Sequence, residues 1–565
     1  MPVNKLYICV LSTALCSIAA VSNAKSSLFG DDLKDSETVV LQLQTQLNEL
    51  GFDAGPTDGA WGRRTAGAVD AFIERFPPAT PFSEASDLIY RLQVIHDSRF
   101  GSPFGPNSDL ITPPSALISN QVFRSDIRDQ ALSCNDCSVV TFALGSGDFD
   151  GDGVDELVVG QHLVDQNRIA VNEATRTLII KFDAHGENRE LVLAGEAPHV
   201  SRVHEREAVI ADFNLDGVDD LFIAATGVDG PVFYGEQNVL ILSSPNGPID
   251  VSFVNLPIID DNAHGADAGD IDGDGDIDIV VSTHSGTGEY DSYVLWNDGT
   301  GNFRRQILLD LVDDPSLLRL YVNGRVANQY STMKLADLNG DRFPELLLLS
   351  CGQSPESMAQ NYNSYALIND QNGAFLAEDK IVFTTDRWGN YTFSNDADVH
   401  DLDGNGLVDV ILTQSTATDK WNGHYLQIFM QEEPDLFVDR TAERLWAQGY
   451  QIPLELIAHA DQSTLMDLDG DGDSDLITTS AAPAMRSSNL NQAIVQIGIN
   501  DGSGTFSPLD PRWVSHEGGF SFIGPIVGRF GPNGEPMIAS HRIFGSYTAE
   551  RNVTYGVNFY LHRPG

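Results

Sequence analysis

The sequence predicts a mainly β protein: a seven-bladed β-propeller of four-stranded blades over residues 117–565, preceded by a small three-helix domain over residues 36–100. Three observations carry that expectation. An acidic loop motif recurs six times at near-constant spacing in the larger segment; apolar strand-like runs flank the copies; and the smaller segment has its apolar residues at helical spacing.

At 565 residues the chain exceeds what one hydrophobic core usually supports. Its net charge of −48 argues against nucleic acid, whose affinity comes from Lys and Arg neutralising phosphates, and against an anionic membrane surface. Residues 1–24 read as an export signal, with Lys5 as the positive end, Leu6 to Val21 as the apolar run and Ser22-Asn23-Ala24 as the small residues before a cut. Leu15, just before Cys16, is not small, which disfavours a lipid anchor. No later stretch approaches the roughly 20 apolar residues of a membrane span. The expected location is outside the cytosol: periplasm, cell surface or medium. Cys9 and Cys16 leave with the signal. In an exported chain Cys134-Asn-Asp-Cys137 reads as a local disulfide, because no second Cys/His pair completes a zinc site.

After a polar lead (residues 25–35), Val40, Leu43, Leu47 and Leu50 fall on one helix face, and Gly51 stands where a helix end needs a left-handed residue. The turn-rich link Asp53-Ala-Gly55-Pro56-Thr-Asp58-Gly59-Ala-Trp61-Gly62 leads to Thr65 as an N-cap. Val69, Phe72, Ile73 and Phe76 form a second face that Pro77-Pro78 ends, and Ser83 caps a third helix carrying Leu88, Leu92 and Ile95. Gln44, Leu50-Gly51-Phe52, Gly55-Pro56, Asp58-Gly59, Trp61-Gly62 and Thr65 resemble the pattern of the peptidoglycan-binding-domain-like family. That resemblance implies a bacterial cell-envelope protein, its module either contacting the wall or serving as a spacer. Residues 101–116, rich in Gly, Pro and Ser, read as a linker.

The repeat is fullest at Asp270-Ile-Asp272-Gly273-Asp274-Gly275-Asp276-Ile-Asp278, with a carboxylate at positions one, three, five, seven and nine. So many like charges in one tight turn ask for a hard cation. Copies begin at Asp148, Asp212, Asp337, Asp401 and Asp467; one further interval reaches Arg529-Phe-Gly531-Pro-Asn533-Gly534, which keeps the turn and has lost the carboxylates. A second signature follows in three units: Asn297-Asp298-Gly299, Asn369-Asp370 and Asn500-Asp501-Gly502, a hairpin signal between apolar strands. Two hairpins give four strands per unit, and seven units fit a closed ring. The last unit is short of a strand, so Ile118 to Phe123 is expected to complete it.

The chemistry points to calcium, which takes six to eight oxygen ligands at about 2.3–2.6 Å. Position twelve is a strand residue such as Val159 or Val281, so these are hairpin loops and not helix-loop-helix hands. No soft Cys/His cluster suggests zinc, and magnesium demands a stricter octahedron. The repeats resemble the FG-GAP/VCBS family, the calcium-loop propellers best known from integrin α subunits. The resemblance implies up to six ions, with side-chain ligands at positions one, three, five and nine: Asp148, Asp150, Asp152 and Glu156; Asp212, Asn214, Asp216 and Asp220; Asp270, Asp272, Asp274 and Asp278; Asp337, Asn339, Asp341 and Glu345; Asp401, Asp403, Asn405 and Asp409; Asp467, Asp469, Asp471 and Asp475. Unit four departs from it with Arg342 where Gly is usual, so weak occupancy is expected there, and none in unit seven.

No nucleophile elbow or phosphate loop occurs. Ser331-Thr-Met-Lys334 has the spacing of a serine–lysine pair, but it falls on an expected innermost strand and reads as coincidence. His204, Glu205, Arg206, His264, Asp267, Tyr330, Asp396, His459 and Asp461 lie a few residues before the loops, where strand ends could converge on one mouth of the channel. Of these, His204, Arg206, His264, Asp267, Asp396, His459 and Asp461 are the candidate ligand-binding set. Two function classes follow: a non-enzymatic, calcium-stabilised envelope protein that binds a protein or glycan, or an exported polysaccharide lyase or hydrolase.

Overall fold

The computed structural model describes residues 37–75 and 92, and then 117–123, 138–164, 174–182, 188–190, 193–194, 201–228, 235–244, 246–283, 291–322, 325–328, 330, 332–350, 363–384, 392–416, 422–445, 463–467, 471–481, 493–508, 526–530, 537–540, 543–546 and 554–563. The chain divides into two compact units, Met1–Leu110 and Ile111–Gly565.

In the first unit, helix α1 (Glu37–Glu49) and helix α2 (Arg63–Arg75) enclose a core of Val40, Leu43, Leu47, Val69 and Phe72, with Phe52 set edge-on against Phe72. Gly51 takes φ +89° as the chain leaves α1, and the Gly51 and Phe52 N–H groups close on the carbonyls of Asn48 and Leu47. Gln44 explains why the link between the helices has its shape. Its Oε1 accepts the Asp58 and Gly59 N–H groups at 3.1 and 2.9 Å, and its Nε2 faces the Asp58 carboxylate, the Ala60 carbonyl and the Thr65 hydroxyl. Thr65 is not the N-cap: α2 begins two residues earlier, at Arg63, and the Thr65 hydroxyl donates to the Ala54 carbonyl at 3.1 Å. Leu92, from the expected third helix, is helical and buried in this core. The rest of that helix, Phe76, the export signal, the linker and Cys134–Cys137 lie outside the described residues.

The second unit is a β-propeller built of four-stranded antiparallel sheets. Blade one is Ser138–Gly147, Glu156–Val164, Leu178–Phe182 and Asn188–Glu190; blade two is Glu205–Ala211, Asp220–Ala225, Val239–Leu242 and Ile249–Asp250. Blade three is Ala263–Gly269, Asp278–Thr283, Tyr293–Trp296 and Arg304–Ile307, and blade four is Thr332–Ala336, Glu345–Leu349, Ser364–Asn369 and Phe375–Phe383. Blade five is Thr392–His400, Asp409–Thr416, Asn422–Glu433 and Leu436–Asp439; blade six is Ser463–Met466, Asp475–Ala481, Ala493–Asn500 and Phe506–Pro508. Each acidic loop joins a first strand to a second, and each Asn-Asp turn joins a third to a fourth.

Six described sheets, not seven, have the four-stranded pattern. Beside three two-stranded pairs there is one five-stranded sheet: Leu117–Phe123, Thr554–Arg563, Met537–Ser540 and Ile526–Gly528 pair in that order, and Ile543–Ser546 also pairs with Thr554–Arg563. The physical reason is the length of Thr554–Arg563, along which two short strands pair in succession, through Ile538↔His562 to Ser540↔Tyr560 and then Ile543↔Val557 to Ser546↔Thr554.

The core is a series of slabs between neighbouring blades. Leu144, Val158 and Ile179 of blade one pack on Leu221, Ile223 and Val239 of blade two, and similar slabs separate blades two to six. Position two of each of loops one to five is an apolar plug: Phe149, Phe213, Ile271, Leu338 and Leu402 are all buried, and so is Phe530 in the unit without carboxylates. Burying such side chains contributes roughly 1.5–3 kcal/mol each, so the loops are anchored whether or not an ion is present.

Candidate metal centres

The position-one carboxylate sets the shape of each loop. Asp148 accepts the N–H groups of Asp152 and Gly153 at 3.0 and 2.7 Å, Asp212 those of Asp216 and Gly217, Asp401 those of Asn405 and Gly406, and Asp467 that of Gly472. Asp270 does the same for Gly273 and Gly275. Position six must be left-handed, which is why Gly is usual there. In loop four Arg342 takes φ +78° and still donates its N–H to Asp337 at 2.9 Å, so the loop keeps its course at a local backbone cost of about 1–2 kcal/mol.

Position nine is different: it is buried, and it ties two strands as well as facing the loop. Asp409 accepts the Leu402 N–H at 2.9 Å and the Gln431 N–H at 2.8 Å; Asp278 accepts those of Ile271 and Asn297, and Asp220 those of Phe213 and Ser243. Burial pushes these carboxyls up, Glu156, Asp278 and Glu345 to about 7 and Asp220 and Asp409 to about 6. A divalent cation beside them would hold them ionised.

Among the described residues, three loops bring the carboxylate oxygens of positions one, three and nine within 4.8 Å of one another: Asp148, Asp150 and Glu156; Asp270, Asp272 and Asp278; Asp401, Asp403 and Asp409. One cation at about 2.4 Å from each oxygen spans that separation, so these donors fit calcium. Loops two and four carry Asn214 and Asn339 at position three, oxygen donors without charge. In loop six Asp469 lies outside the described residues.

Residues 270–348 match the family model described as "FG-GAP-like repeat", and residues 36–76 match the one described as "Putative peptidoglycan binding domain". The chain carries an FG-GAP-like repeat and a peptidoglycan-binding-type module. No curated protein sequence matches it. Among solved structures it is similar to rhamnogalacturonan lyase YesW, with 12% identity over 79% of this chain and a TM-score of 0.27; the match spans 60% of the lyase's length. It is also similar to the Dos1 propeller, with 10% identity over 80% of this chain and 95% of that one and a TM-score of 0.32.

The FG-GAP-like loops are clasped by a device that the sequence hid. The side chain of Asn297, first residue of its hairpin turn, donates from Nδ2 to the Phe213 carbonyl at 2.8 Å in the preceding blade's loop and to Ile277 at 3.1 Å in its own. Asn369 repeats this with Ile271 and Pro344, Asn500 with Leu402 and Ser474, and Gln431 reaches the Leu338 carbonyl. The Asn-Asp-Gly turn accounts for those asparagines so completely that their second role left no separate signal.

The candidate ligand residues divide. Asp267 and Asp396 converge on Lys334: its ammonium lies 3.3 Å from Asp396 and 2.7 Å from Glu207, reaching from blade four over blade three to blade two, while Asp267 accepts the Leu335 N–H at 2.8 Å. Burial raises Asp267 and Asp396 from the usual carboxylate range, against the pull of Lys334, which lowers them. Asp398, bonded by the Ser463 hydroxyl, is pushed up to about 8 by burial and by Asp396. Arg206 and His264 instead sit at β-bulges in their strands, and the His204 N–H is taken by Glu236 at 2.9 Å. His459 and Asp461 lie outside the described residues. Lys334, discounted as half of a serine–lysine pair, is the cation of this cluster.

Proposed function

We propose that the protein is an exported cell-envelope binding protein: a calcium-stabilised propeller that presents a face to a protein or glycan, carried on a module that contacts peptidoglycan. The observation that carries the reading is the pairing of a peptidoglycan-binding-type module with FG-GAP-like loops on one chain. Calcium is held in loops two to six by positions one, three, five and nine, with Cys134 and Cys137 joined as a disulfide. The five-stranded sheet serves as the seventh blade. Its support is at the seam, where the Arg529 N–H and guanidinium bond Asp155 at 2.7 and 3.1 Å and the Ser146 hydroxyl donates to Val527 at 2.7 Å.

Binding is favoured over catalysis by the channel cluster itself. Lys334 is ion-paired to Glu207 and Asp396 across blades, so among the described residues these charged groups are engaged with one another. Among the described residues no helix is long and apolar enough to cross a membrane. Sedimentation with purified peptidoglycan tests the wall-binding half: the full mature chain is expected to pellet and a chain lacking residues 36–100 to stay in solution, and equal pelleting would remove the claim.

A further inference from the structure

We infer that loop one takes no calcium, because the ammonium of Lys181 is its built-in counter-ion; this refines the calcium reading above and rests on it. Lys181, on the third strand of blade one, places Nζ 2.5 Å from Asp150, 2.6 Å from Asp152 and 3.2 Å from Glu156. Those are three of the four side chains expected to hold an ion, and two of the distances equal calcium–oxygen distances of about 2.3–2.6 Å. Ammonium and calcium therefore compete for the same oxygens. The lysine is buried, only 8% exposed, so its stem is packed and its head is committed to the loop.

The strand register shows that this is a substitution peculiar to one blade. Position ten of loop one, Leu157, pairs with Ile180, and Lys181 follows it. The residues that follow the corresponding partners are Leu242, Trp296, Ile368, Met430 and Ile499 in blades two to six, all apolar. Among the described residues, the ligand positions of loops two to five have no lysine or arginine within ion-pair distance, so they depend on an added cation where loop one does not. Blade one also receives Arg529 on Asp155. Both cations on loop one are thus tethered side chains, which no chelator or dilution removes.

Calcium counting by native mass spectrometry on the full mature chain tests this. Lys181→Met, which installs the residue that blade five has at this position, is expected to bind one calcium ion more than the wild type; equal counts would overturn the inference. Should that variant fold poorly, Asp150→Asn with Asp152→Asn in the otherwise wild-type chain is expected to leave the count unchanged, and loss of one ion would overturn it. The wild-type count judges the calcium reading by itself: zero ions there removes calcium from loops two to six, while the difference between the chains still decides loop one.

Discussion

Loop five allows the structural and metal roles of its carboxylates to be separated. Asp409 is fully buried and accepts two N–H groups, from Leu402 and Gln431, which are themselves 2% and 1% exposed. Asp403, at position three, accepts the Asn405 N–H at a longer 3.2 Å. Replacing Asp409 by Ala strands two buried donors at about 1–3 kcal/mol each, so in chelator that variant is expected to be less stable than wild type by about 2–6 kcal/mol. Asp403→Ala in chelator is expected within about 0.5 kcal/mol of wild type. Calcium at a hundred times its Kd stabilises by about 2.7 kcal/mol per site, and both variants are expected to lose that one increment. Denaturant unfolding followed by tryptophan fluorescence, with and without calcium, measures all four numbers. Equal calcium gains in Asp403→Ala and wild type would refute loop five as a metal site, and a near-wild-type Asp409→Ala in chelator would refute the bridging argument.

Gln44→Ala is expected to unfold the helical module alone: the amide has two N–H hydrogens and two acceptor positions to lose, roughly 4 kcal/mol at about 1 kcal/mol per bond. New proteolytic cleavage confined to residues 37–75 would show it, and an unchanged digest would count against it. Lys334→Met strips the cation from Glu207, Asp267 and Asp396 and is expected to destabilise the propeller by about 3–5 kcal/mol, read from its denaturant midpoint. Asp398, raised by burial and by Asp396 to about 8 in the fold, binds its proton more tightly folded than unfolded. Its contribution is present below the ordinary carboxylate range, falls as pH rises towards 8 and is lost above it. Asp398→Asn is accordingly expected to melt above wild type at pH 8.5 and close to it at pH 5, and parallel melting profiles across pH would exclude this.

The loops were legible because their donors lie at alternate residues of one short stretch, and their course follows from Asp and Gly at fixed positions. The apolar slabs followed from the strand runs beside them. Of the channel cluster, Asp267 and Asp396 were legible and Glu207 and Lys334 were not, because β-bulges break the two-residue alternation that assigns a side to each strand residue. Glu205 and Glu207 pair with the consecutive residues Ala225 and Ala224, so they face opposite ways: Glu205 takes the Thr177 hydroxyl, and Glu207 meets Lys334. Lys181 was invisible for another reason. Its meaning depends on which residue of a strand reaches back over a loop some thirty residues earlier, and only the pairing register supplies that. The five-stranded sheet depends likewise on where Thr554–Arg563 finds its partners.

The asparagine clasps have a mechanical implication. Blade three grips the loop of blade two, blade four that of blade three, blade five that of blade four and blade six that of blade five, like tiles each lapped over the last. Breaking one clasp frees the loop it covers in the preceding blade, so the clasps run in one direction along the row while the apolar slabs join neighbouring blades in both. Among the described residues, blade one and the sheet that joins Leu117–Phe123 to the last strands stand outside that overlap; there Arg529 rivets that sheet to Asp155 of blade one, while Lys181 pins blade one's own loop.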